Sequence, residues 1–227
     1  RTTPQVPGWE FAATWQPARQ TSGDYYDFFA AREGAVGLVI GDVSGKGMAA
    51  ALFMALTRSI VRASLTQPAP LAQAIDHANR LICADATGGM FVTLFCAEIR
   101  LVTGEVTYVN AGHNPPLLLS SGKEGHQPET LPPTGMALGV LEDTAFEQRT
   151  VHMAPRDLLL LYTDGVPDAT RADGDRFDMT RLRQVLLEQG HGPAEGVVSA
   201  LTGAVAGFTG ACEQFDDMAL VVARRLG

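Results

Sequence analysis

The sequence predicts an α+β fold, a four-layer αββα sandwich in which two stacked, mostly antiparallel sheets are flanked by helix pairs. The predicted elements run as strands, two helices, strands, two helices and a final strand. That order lacks the strict alternation of strand and helix that a parallel, doubly wound sheet requires. About nine or ten strands are also too many for one flat sheet of ordinary size, so we expect two sheets.

The first part of the chain is predicted to form three strands followed by two helices. Trp9–Gln16 alternates large apolar residues with smaller or polar ones, the period of two that is typical of a half-buried strand. An aromatic strand over residues 24–31 and an apolar strand that ends at Asp42 follow. Two helices are favoured by Met48–Leu65, which has no internal glycine or proline, and by Leu71–Asp85, where apolar residues recur at helical spacing.

The rest of the chain is predicted to add strands, a second helix pair and a last strand. Thr103 and Gly104 favour a hairpin turn between two strands, and Asp178 and Gly190 are positioned to cap and to stop a helix. A Gly- and Pro-rich stretch, residues 121–139, separates two short candidate strands. The predicted strands cover residues 90–100, 105–110, 117–120, 144–151, 157–162 and 218–223, and the predicted helices cover residues 178–190 and 194–208.

The composition predicts one globular domain and restricts what it binds. The chain has 227 residues, of which 46% are hydrophobic and 19% charged, enough for one substantial core and too apolar for widespread disorder. We expect residues 1–8 to be a lead or linker and residues 9–227 to form a single domain. A formal charge of -8 and a pI near 5.0 argue against general nucleic-acid binding, because no basic stripe is present to neutralise phosphates.

Cysteine usage and hydropathy favour a cytoplasmic protein. The three cysteines lack metal-ligand spacing and each lies in an apolar segment, so we predict buried thiols in a reducing compartment. They are Cys83, Cys96 and Cys212. The longest strongly apolar run without a charge, residues 47–57, is too short to span a bilayer, and no signal-peptide pattern opens the chain, so we expect no membrane insertion. Because the chain begins at Arg1, with two prolines before the first strand, we expect it to be a domain excised from a longer multidomain protein.

Aspartates stand at the ends of several predicted strands. Asp24 opens the aromatic strand, and Asp42 and Asp164 each end an apolar strand. Asp216 and Asp217 come just before the last strand. If these carboxylates converge, they repel one another unless cations neutralise them, and oxygen ligands suit two divalent ions such as magnesium or manganese. A two-metal site activates water and holds the attacking and leaving oxygens in line, which favours hydrolysis of a phosphate ester.

Five short motifs occur in order along the chain, spread over roughly residues 9–224. They are Ser22-Gly23-Asp24-Tyr25-Tyr26-Asp27, Gly41-Asp42-Val43-Ser44-Gly45-Lys46-Gly47, Asn110-Ala111-Gly112-His113-Asn114-Pro115-Pro116, Tyr162-Thr163-Asp164-Gly165 and Asp216-Asp217-Met218. Together they resemble the metal-dependent protein phosphatases (PPM, type 2C-like), in the bacterial branch typified by stage II sporulation protein E and the sigma-factor regulatory phosphatases. Ser22 departs from the family pattern, which often has glycine there.

The resemblance implies a phosphatase that removes phosphate from phosphoserine or phosphothreonine in a protein, with two manganese or magnesium ions. Asp42 would bridge both ions. The implied ligands are Asp24, acting directly or through bound water, Asp42, the Val43 carbonyl, Asp164 and Asp216, with Asp217 as the alternative to Asp216. The implied substrate is a phosphorylated anti-sigma-factor antagonist, whose dephosphorylation frees a sigma factor. We also expect an upstream sensory or receiver domain to control activity through the helix that follows Asp42.

Three further polar residues near the motifs have two interpretations each. Arg19 lies five residues before Asp24 and either contacts the substrate phosphate or faces solvent in a loop. Lys46 either supplies the same positive charge or offsets local acidity. His113 is predicted to fix a loop by hydrogen bonding rather than to act as a general acid. The other histidines lack ligand spacing and are predicted at the surface, namely His77, His126, His152 and His191.

Other functions fit the sequence less well. A phosphate-binding P-loop needs four residues between its first glycine and Gly-Lys, and only three separate Gly41 from Gly45. Two-metal nucleotidyl cyclase chemistry would not explain the Asp216-Asp217 pair or the loop that contains His113. An interaction module that kept the fold and lost turnover is the remaining alternative. In the phosphatase interpretation, the positions of Gly45 and Gly47 are expected to need a small residue, because the turn bends tightly beside metal.

Overall fold

The computed structural model describes residues 3–32, 34–86, 89–122 and 127–227, in two compact units. The terminal unit comprises Arg1–Ala18, Pro116–Leu131 and Met153–Gly227, and the central unit comprises Arg19–Pro115 and Pro132–His152. Each unit has one five-stranded antiparallel sheet and two helices. The predicted α+β class, with two antiparallel sheets and two helix pairs, is therefore confirmed.

The elements follow the predicted order along the chain. They are β1 (Trp9–Gln16), β2 (Tyr25–Ala30), β3 (Ala35–Val43), α1 (Met48–Leu65), α2 (Leu71–Asp85), β4 (Val92–Arg100), β5 (Glu105–Ala111), β6 (Leu117–Leu119), β7 (Glu129–Thr130), β8 (Arg149–His152), β9 (Leu158–Tyr162), α3 (Asp178–Gln189), α4 (Ala194–Thr209) and β10 (Met218–Arg225).

The central unit is organised around β3. Its sheet has the order β2-β3-β4-β5-β8, so β3 is hydrogen-bonded on both sides. The central residues of β3, from Leu38 to Ile40, are at most 2% exposed, which explains their continuous apolar sequence. Helices α1 and α2 pack on each other and supply much of the apolar cluster on this sheet, including Phe53 and Ile75.

Helix α1 is a partly buried core helix of this globular unit. Its length of 18 residues and mean hydropathy of 1.4 meet the criterion for a membrane span, which is weak evidence because core helices meet it too. The helix extends beyond the uncharged run noted in the sequence, since Arg58 and Arg62 lie within it. Both arginines pair with Asp27 on β2, at 3.1 and 2.7 Å. Phe53 and Val61 are buried against the central sheet and α2.

The terminal unit brings the two ends of the chain into one sheet. The order is β1-β10-β9-β6-β7, with every neighbouring pair antiparallel. All five residues of β9 are buried, and β10 lies between β1 and β9. Helix α4 packs on β1 and β10 and contacts α3, with Val197, Leu201 and Leu182 in the apolar cluster between helices and sheet.

Two predicted elements need correction. The strand expected over residues 144–151 begins only at Arg149, because the residues before it make loop hydrogen bonds. The N–H of Phe146 donates to Asp76 Oδ1 at 3.0 Å, and the N–H of Glu147 donates to the Thr134 carbonyl at 3.1 Å. The short strand β7 was not expected inside the Gly- and Pro-rich stretch. It exists because Pro116–Leu131 contributes a hairpin to the terminal sheet.

The predicted cap at the start of α3 is present. Asp178 Oδ1 accepts the N–H groups of Thr180 at 2.7 Å and Arg181 at 3.0 Å, which is the pattern of an N-terminal cap. These bonds, chiefly the one from Arg181, lower the pKa of the Asp178 carboxyl. The predicted stop also holds, since Gly190 donates its N–H to the Leu186 carbonyl at the end of the helix.

Candidate metal centre

Asp24 and Asp42 lie side by side at one end of the central sheet. β2 begins directly after Asp24, and Asp42 is the last residue but one of β3. Tyr25 pairs with Gly41, so continuing the register by one residue places Asp24 opposite Asp42. Asp24 is only 3% exposed. Like charges at opposed positions of antiparallel strands repel each other, so this central aspartate pair favours a bound cation.

The segment before β2 packs closely against Val43. A Cβ at Gly23 would stand 3.1 Å from the Val43 carbonyl oxygen, so glycine is what permits this approach. The hydroxyl of Ser22 accepts the N–H of Asp24 at 3.1 Å and donates to the Asp24 carbonyl at 3.3 Å. The departure from the family motif at Ser22 therefore supplies local hydrogen bonds that hold the backbone of Asp24.

The turn after Asp42 needs glycine for its backbone conformation. Gly45 and Gly47 have φ values of 91° and 84°, in the left-handed region that side chains disfavour. Apart from each glycine and its chain neighbours, no atom of the described residues lies within 4 Å of a Cβ added at either position, so small size is not what the turn requires. The N–H of Ser44 donates to the Phe91 carbonyl, and its hydroxyl accepts the N–H of Phe91, both at 2.9 Å. These bonds tie the turn to the segment before β4.

His113 is held by hydrogen bonds, as predicted. Its N–H donates to Asn110 Oδ1 at 2.8 Å, and its Nδ1 lies 2.9 Å from Thr93 Oγ1. Thr93 pairs with Asp42 in the β3–β4 register, and its hydroxyl lies 3.5 Å from the Asp42 carbonyl oxygen. Thr93 was not among the predicted site residues. Thr93 directly precedes the apolar run Leu94–Ala97 of β4, and a polar residue at that point is the sequence signal that could have identified it.

The basic residues near the central aspartate pair are exposed. Arg19 has no hydrogen-bonding partner among the residues that the structure describes, so its guanidinium is available to a ligand. Lys46 is exposed on the glycine turn. Of the scattered histidines, His152 and His191 are exposed, His77 is half-buried, and His126 lies outside the described residues.

Asp164 lies two residues after the end of β9, the most buried strand of the terminal sheet. The N–H of Thr163 donates to the Ala219 carbonyl at 3.1 Å, and its hydroxyl accepts the N–H of Ala219 at 2.8 Å. These bonds extend the β9–β10 pairing by one residue and bring Asp164 to the start of β10. Burial raises the pKa of Tyr162 to about 12, with Arg183 opposing the shift, so its hydroxyl is neutral.

Asp216 and Asp217 precede β10 and differ in their contacts. Asp217 Oδ1 accepts the N–H of Ala18 at 2.8 Å, which fastens the chain after β1 to the start of β10. Asp216 Oδ1 accepts the N–H of Asp217 at 3.0 Å. Gly165 lies so close that a Cβ there would stand 1.9 Å from the Asp217 carbonyl oxygen. Each carboxylate thus accepts one backbone N–H through its Oδ1, so these contacts leave both Asp216 and Asp217 as candidate ligands.

Each unit thus offers oxygen ligands at one end of its sheet. The central unit has the central aspartate pair and the Val43 carbonyl. The terminal unit has Asp164, Asp216 and Asp217, here called the terminal aspartate group. Carboxylate and carbonyl oxygens fit magnesium or manganese better than soft metals. Among the described residues, no group of three or more His, Cys, Asp or Glu side chains forms a metal site by itself, so the two-metal arrangement remains a prediction.

Comparison with known proteins gives consistent matches over most of the chain. The family model for stage II sporulation protein E (SpoIIE) matches residues 32–226. Protein IcfG of Synechocystis sp. is 30% identical over 98% of this chain and 39% of its own length. Phosphoserine phosphatase RsbU of Bacillus subtilis is 30% identical over 79% of this chain and 53% of its own length. The chain therefore spans between 39 and 53% of the length of these relatives.

Solved structures give the same fold. The RsbU and RsbW domains of a Mycobacterium tuberculosis protein match with a TM-score of 0.83 and 25% identity, over 99% of this chain and 63% of that one. RsbX in complex with magnesium matches with a TM-score of 0.70 and 15% identity, over 98% of both chains. At 15% identity, the likeness to RsbX concerns the fold alone.

Proposed function

The chain belongs to the SpoIIE family of type 2C-like phosphatase domains, and on that premise we propose that it is a metal-dependent protein serine/threonine phosphatase. The family is metal-dependent, and one structural relative is a magnesium complex. The proposed cofactors are two divalent cations, manganese or magnesium. The proposed substrate is phosphoserine or phosphothreonine in a regulatory protein, since RsbU, at 30% identity, is a phosphoserine phosphatase.

The observation that carries the proposal is the placement of aspartates at strand ends in both units. Asp24 and Asp42 stand on neighbouring strands of the central sheet. Asp164 and Asp216 flank the paired ends of β9 and β10 in the terminal sheet. In the proposed site, the residues that would hold the divalent cations are Asp42, the Val43 carbonyl, Asp164 and Asp216. Asp24 would bind directly or through water.

The reaction is a hydrolysis without redox change. The bond between phosphorus and the seryl oxygen breaks, and its electron pair leaves with that oxygen. A water oxygen forms the new bond to phosphorus, and one proton of that water ends on the seryl oxygen. The divalent cations, when bound, supply the positive charge that lowers the pKa of water and offsets charge on the phosphoryl group. We assign Arg19 to substrate phosphate, because it is exposed and a guanidinium binds phosphate oxygens in pairs. His113 and Thr93 position the strand that carries Asp42.

The partners follow from the relatives and remain part of the proposal. We propose a phosphorylated protein of the anti-sigma-factor-antagonist type as the substrate, and a cytoplasmic setting. The three free cysteines fit a reducing compartment. We also propose that an upstream sensory or receiver domain controls turnover through α1, which leads directly from the turn after Asp42.

Alanine substitutions of Asp42 and Asp164 test the proposal. With manganese supplied, the wild-type chain should hydrolyse p-nitrophenyl phosphate and a phosphoserine protein. Asp42→Ala and Asp164→Ala should each lower kcat/KM by at least about 1000-fold, because each removes a charge that holds a cation. Circular dichroism and urea unfolding should show that both variants fold.

Asp143→Ala is the matched control, because Asp143 is an exposed aspartate outside the five motifs. It should leave turnover unchanged. Absence of metal-dependent turnover in the wild-type chain on both substrates would instead support a catalytically silent interaction module. Full activity in Asp42→Ala would remove Asp42 from the site.

A further inference from the structure

A pocket of about 190 Å³ lies wholly within the terminal unit, next to Asp216. Its walls come from the second half of α4, the loop before β10 and the segment after Asp164. Gly165 and Asp216 both line it, so it adjoins the terminal aspartate group. An occupant of the pocket would therefore lie beside the proposed ligands of this unit. Small molecules usually occupy cavities of ~300–1,000 Å³, so this one suits a single side chain.

The walls of the pocket combine apolar surface with an aromatic residue at the mouth. Val205, Ala206 and Met218 contribute aliphatic surface to its lining. Phe215, which is 75% exposed, precedes Asp216 and also lines the pocket. This combination suits a long aliphatic chain, and an aromatic face is attractive to a cation.

The threonine hydroxyls that line the pocket have already donated their hydrogens. Thr202 donates to the Val198 carbonyl at 3.0 Å, and Thr209 donates to the Val205 carbonyl at 3.1 Å. Thr170 donates to the Asp168 carbonyl at 2.7 Å. A hydroxyl whose hydrogen is engaged has only lone pairs left to offer. These three side chains can therefore accept a hydrogen bond from a guest.

The side-chain amide and the carboxylates of the lining also present hydrogen-bond acceptors to the pocket. Both side-chain hydrogens of Gln214 are used, in bonds to the carbonyls of Gln16 at 2.8 Å and Asp216 at 2.7 Å, which leaves its Oε1 as an acceptor. Asp168 and Glu213 add negative charge, and among the described lining residues there is no Lys or Arg. Asp168 already pairs with Arg176 at 3.1 Å, so Glu213 is the carboxylate best placed to meet a new cation.

We propose that this pocket is a substrate subsite that binds a lysine or arginine side chain close in sequence to the phosphoserine. The aliphatic stem packs on Val205, Ala206 and Met218, and the charged head meets Glu213 and the acceptor oxygens. This assignment rests on the proposed phosphatase function, since it identifies which phosphoproteins the domain prefers. A basic side chain is the guest because a buried anion would find no donor in this acidic, acceptor-lined cavity, and an apolar head would leave the acceptor oxygens without donors.

Matched phosphoserine peptides test the subsite. At each position flanking the phosphoserine, three peptides carry lysine, norleucine or glutamate, so that charge changes while the aliphatic stem is kept in the first two. With manganese, the wild-type chain should hydrolyse the lysine peptide about tenfold faster in kcat/KM than the norleucine peptide at one position. Fluorescence anisotropy of the labelled peptides in EDTA measures binding without turnover and should show the same order.

The variants are chosen to separate recognition from chemistry. Glu213→Gln should lower kcat/KM and affinity for the lysine peptide about fivefold, and Glu213→Lys should shift the preference to the glutamate peptide. Glu188→Gln, the same change on α3 at a residue outside the pocket, should alter neither. Turnover of p-nitrophenyl phosphate, which has no flanking residue, should be unchanged in Glu188→Gln. In Glu213→Gln, the loss with the lysine peptide should exceed any loss with p-nitrophenyl phosphate.

Each outcome decides between the two proposals. Equal binding of the three peptides by the wild-type chain, or the same loss in Glu188→Gln as in Glu213→Gln, would overturn the subsite. If aryl phosphate and peptides are not hydrolysed with manganese, the phosphatase proposal fails, while binding in EDTA still decides whether the pocket selects a basic side chain. A charge-reversed preference in Glu213→Lys is an outcome that a purely structural role for Glu213 would not produce.

Discussion

Replacing Gly165 with alanine would place a methyl group where the backbone of another segment already stands. Gly165 directly follows Asp164, and its ideal Cβ position is 1.9 Å from the Asp217 carbonyl oxygen and 2.9 Å from the carbonyl carbon. Its φ does not lie in the left-handed region, so the effect of the substitution is a steric collision rather than backbone strain. The collision forces the segment after Asp164 away from the start of β10.

The size of the displacement follows from these distances. Restoring a separation of 3.0 Å from 1.9 Å requires a movement of at least 1.1 Å. The obstacle is main chain, which cannot rotate away as a flexible side chain could. Overpacking of this kind costs about 1–3 kcal/mol of stability, and a 1 Å misplacement in a site can cost about 100-fold in rate. We therefore expect Gly165→Ala to lower kcat/KM about 100-fold and to weaken manganese binding.

Three measurements on the purified chain test this expectation. They are manganese-dependent hydrolysis of p-nitrophenyl phosphate, isothermal titration with manganese, and urea unfolding. Gly203→Ala is the matched control, because no atom lies within 4 Å of a Cβ added at Gly203 in α4. That variant should gain about 0.5–1 kcal/mol, since alanine is the better helix residue, and should keep wild-type turnover.

The stability and the activity of Gly165→Ala can fail to change independently of each other. Wild-type stability in Gly165→Ala would show that the collision relaxes without cost. Lower stability with unchanged turnover and manganese affinity would show that the spacing between Asp164 and the start of β10 is unimportant to function, and would remove the terminal aspartate group from the site.

Two further predictions concern stability. Asp27→Asn should lower the free energy of unfolding by about 1–2 kcal/mol, because Asp27 is 8% exposed and pairs with Arg58 and Arg62. The control is Glu105→Gln, which affects an exposed pair with Arg100 and should change the free energy of unfolding by less than about 0.5 kcal/mol. Equal effects of the two substitutions on urea midpoints would contradict this. Because the pKa of Tyr162 is about 12 when folded and near 10 when unfolded, stability should fall by up to about 1.4 kcal/mol per pH unit as pH rises between those values. Tyr162→Phe should flatten that slope in urea titrations across the range, and an equally steep slope in this variant would refute it.

Helices and strands with strong local patterns could be predicted from the sequence. Met48–Leu65 and Leu71–Asp85 have the predicted bounds, because helix propensity and period are properties of neighbouring residues. The strand expected over residues 144–151 is shorter than predicted. The N–H groups of Phe146 and Glu147 donate to the Asp76 side chain and the Thr134 carbonyl, which are distant in sequence. Strand β7 was missed because two residues are too few to show a period.

The sequence named the candidate aspartates, which remain a prediction, but it did not identify the residues that contact them. Asp42 and Asp164 follow apolar strands, a pattern visible in the sequence. Thr93 lies 51 residues after Asp42, and only the β3–β4 register shows that the two are paired. The role of Gly45 and Gly47 also changed, because their positive φ, and not crowding, makes glycine necessary.

Local patterns were enough to predict the types and order of most elements and the aspartates beside β2, β3, β9 and β10, because side-chain periodicity and turn chemistry act over a few residues. Which strands are neighbours is visible only in the folded chain. β1 pairs with β10, and the N–H of Ala18 meets Asp217 Oδ1 across 199 residues of sequence. Such pairings depend on matching apolar faces and backbone hydrogen bonds between distant segments, which no local pattern specifies. The acceptor-lined pocket beside Asp216 likewise exists only once α4, the segment after Asp164 and the loop before β10 are packed together.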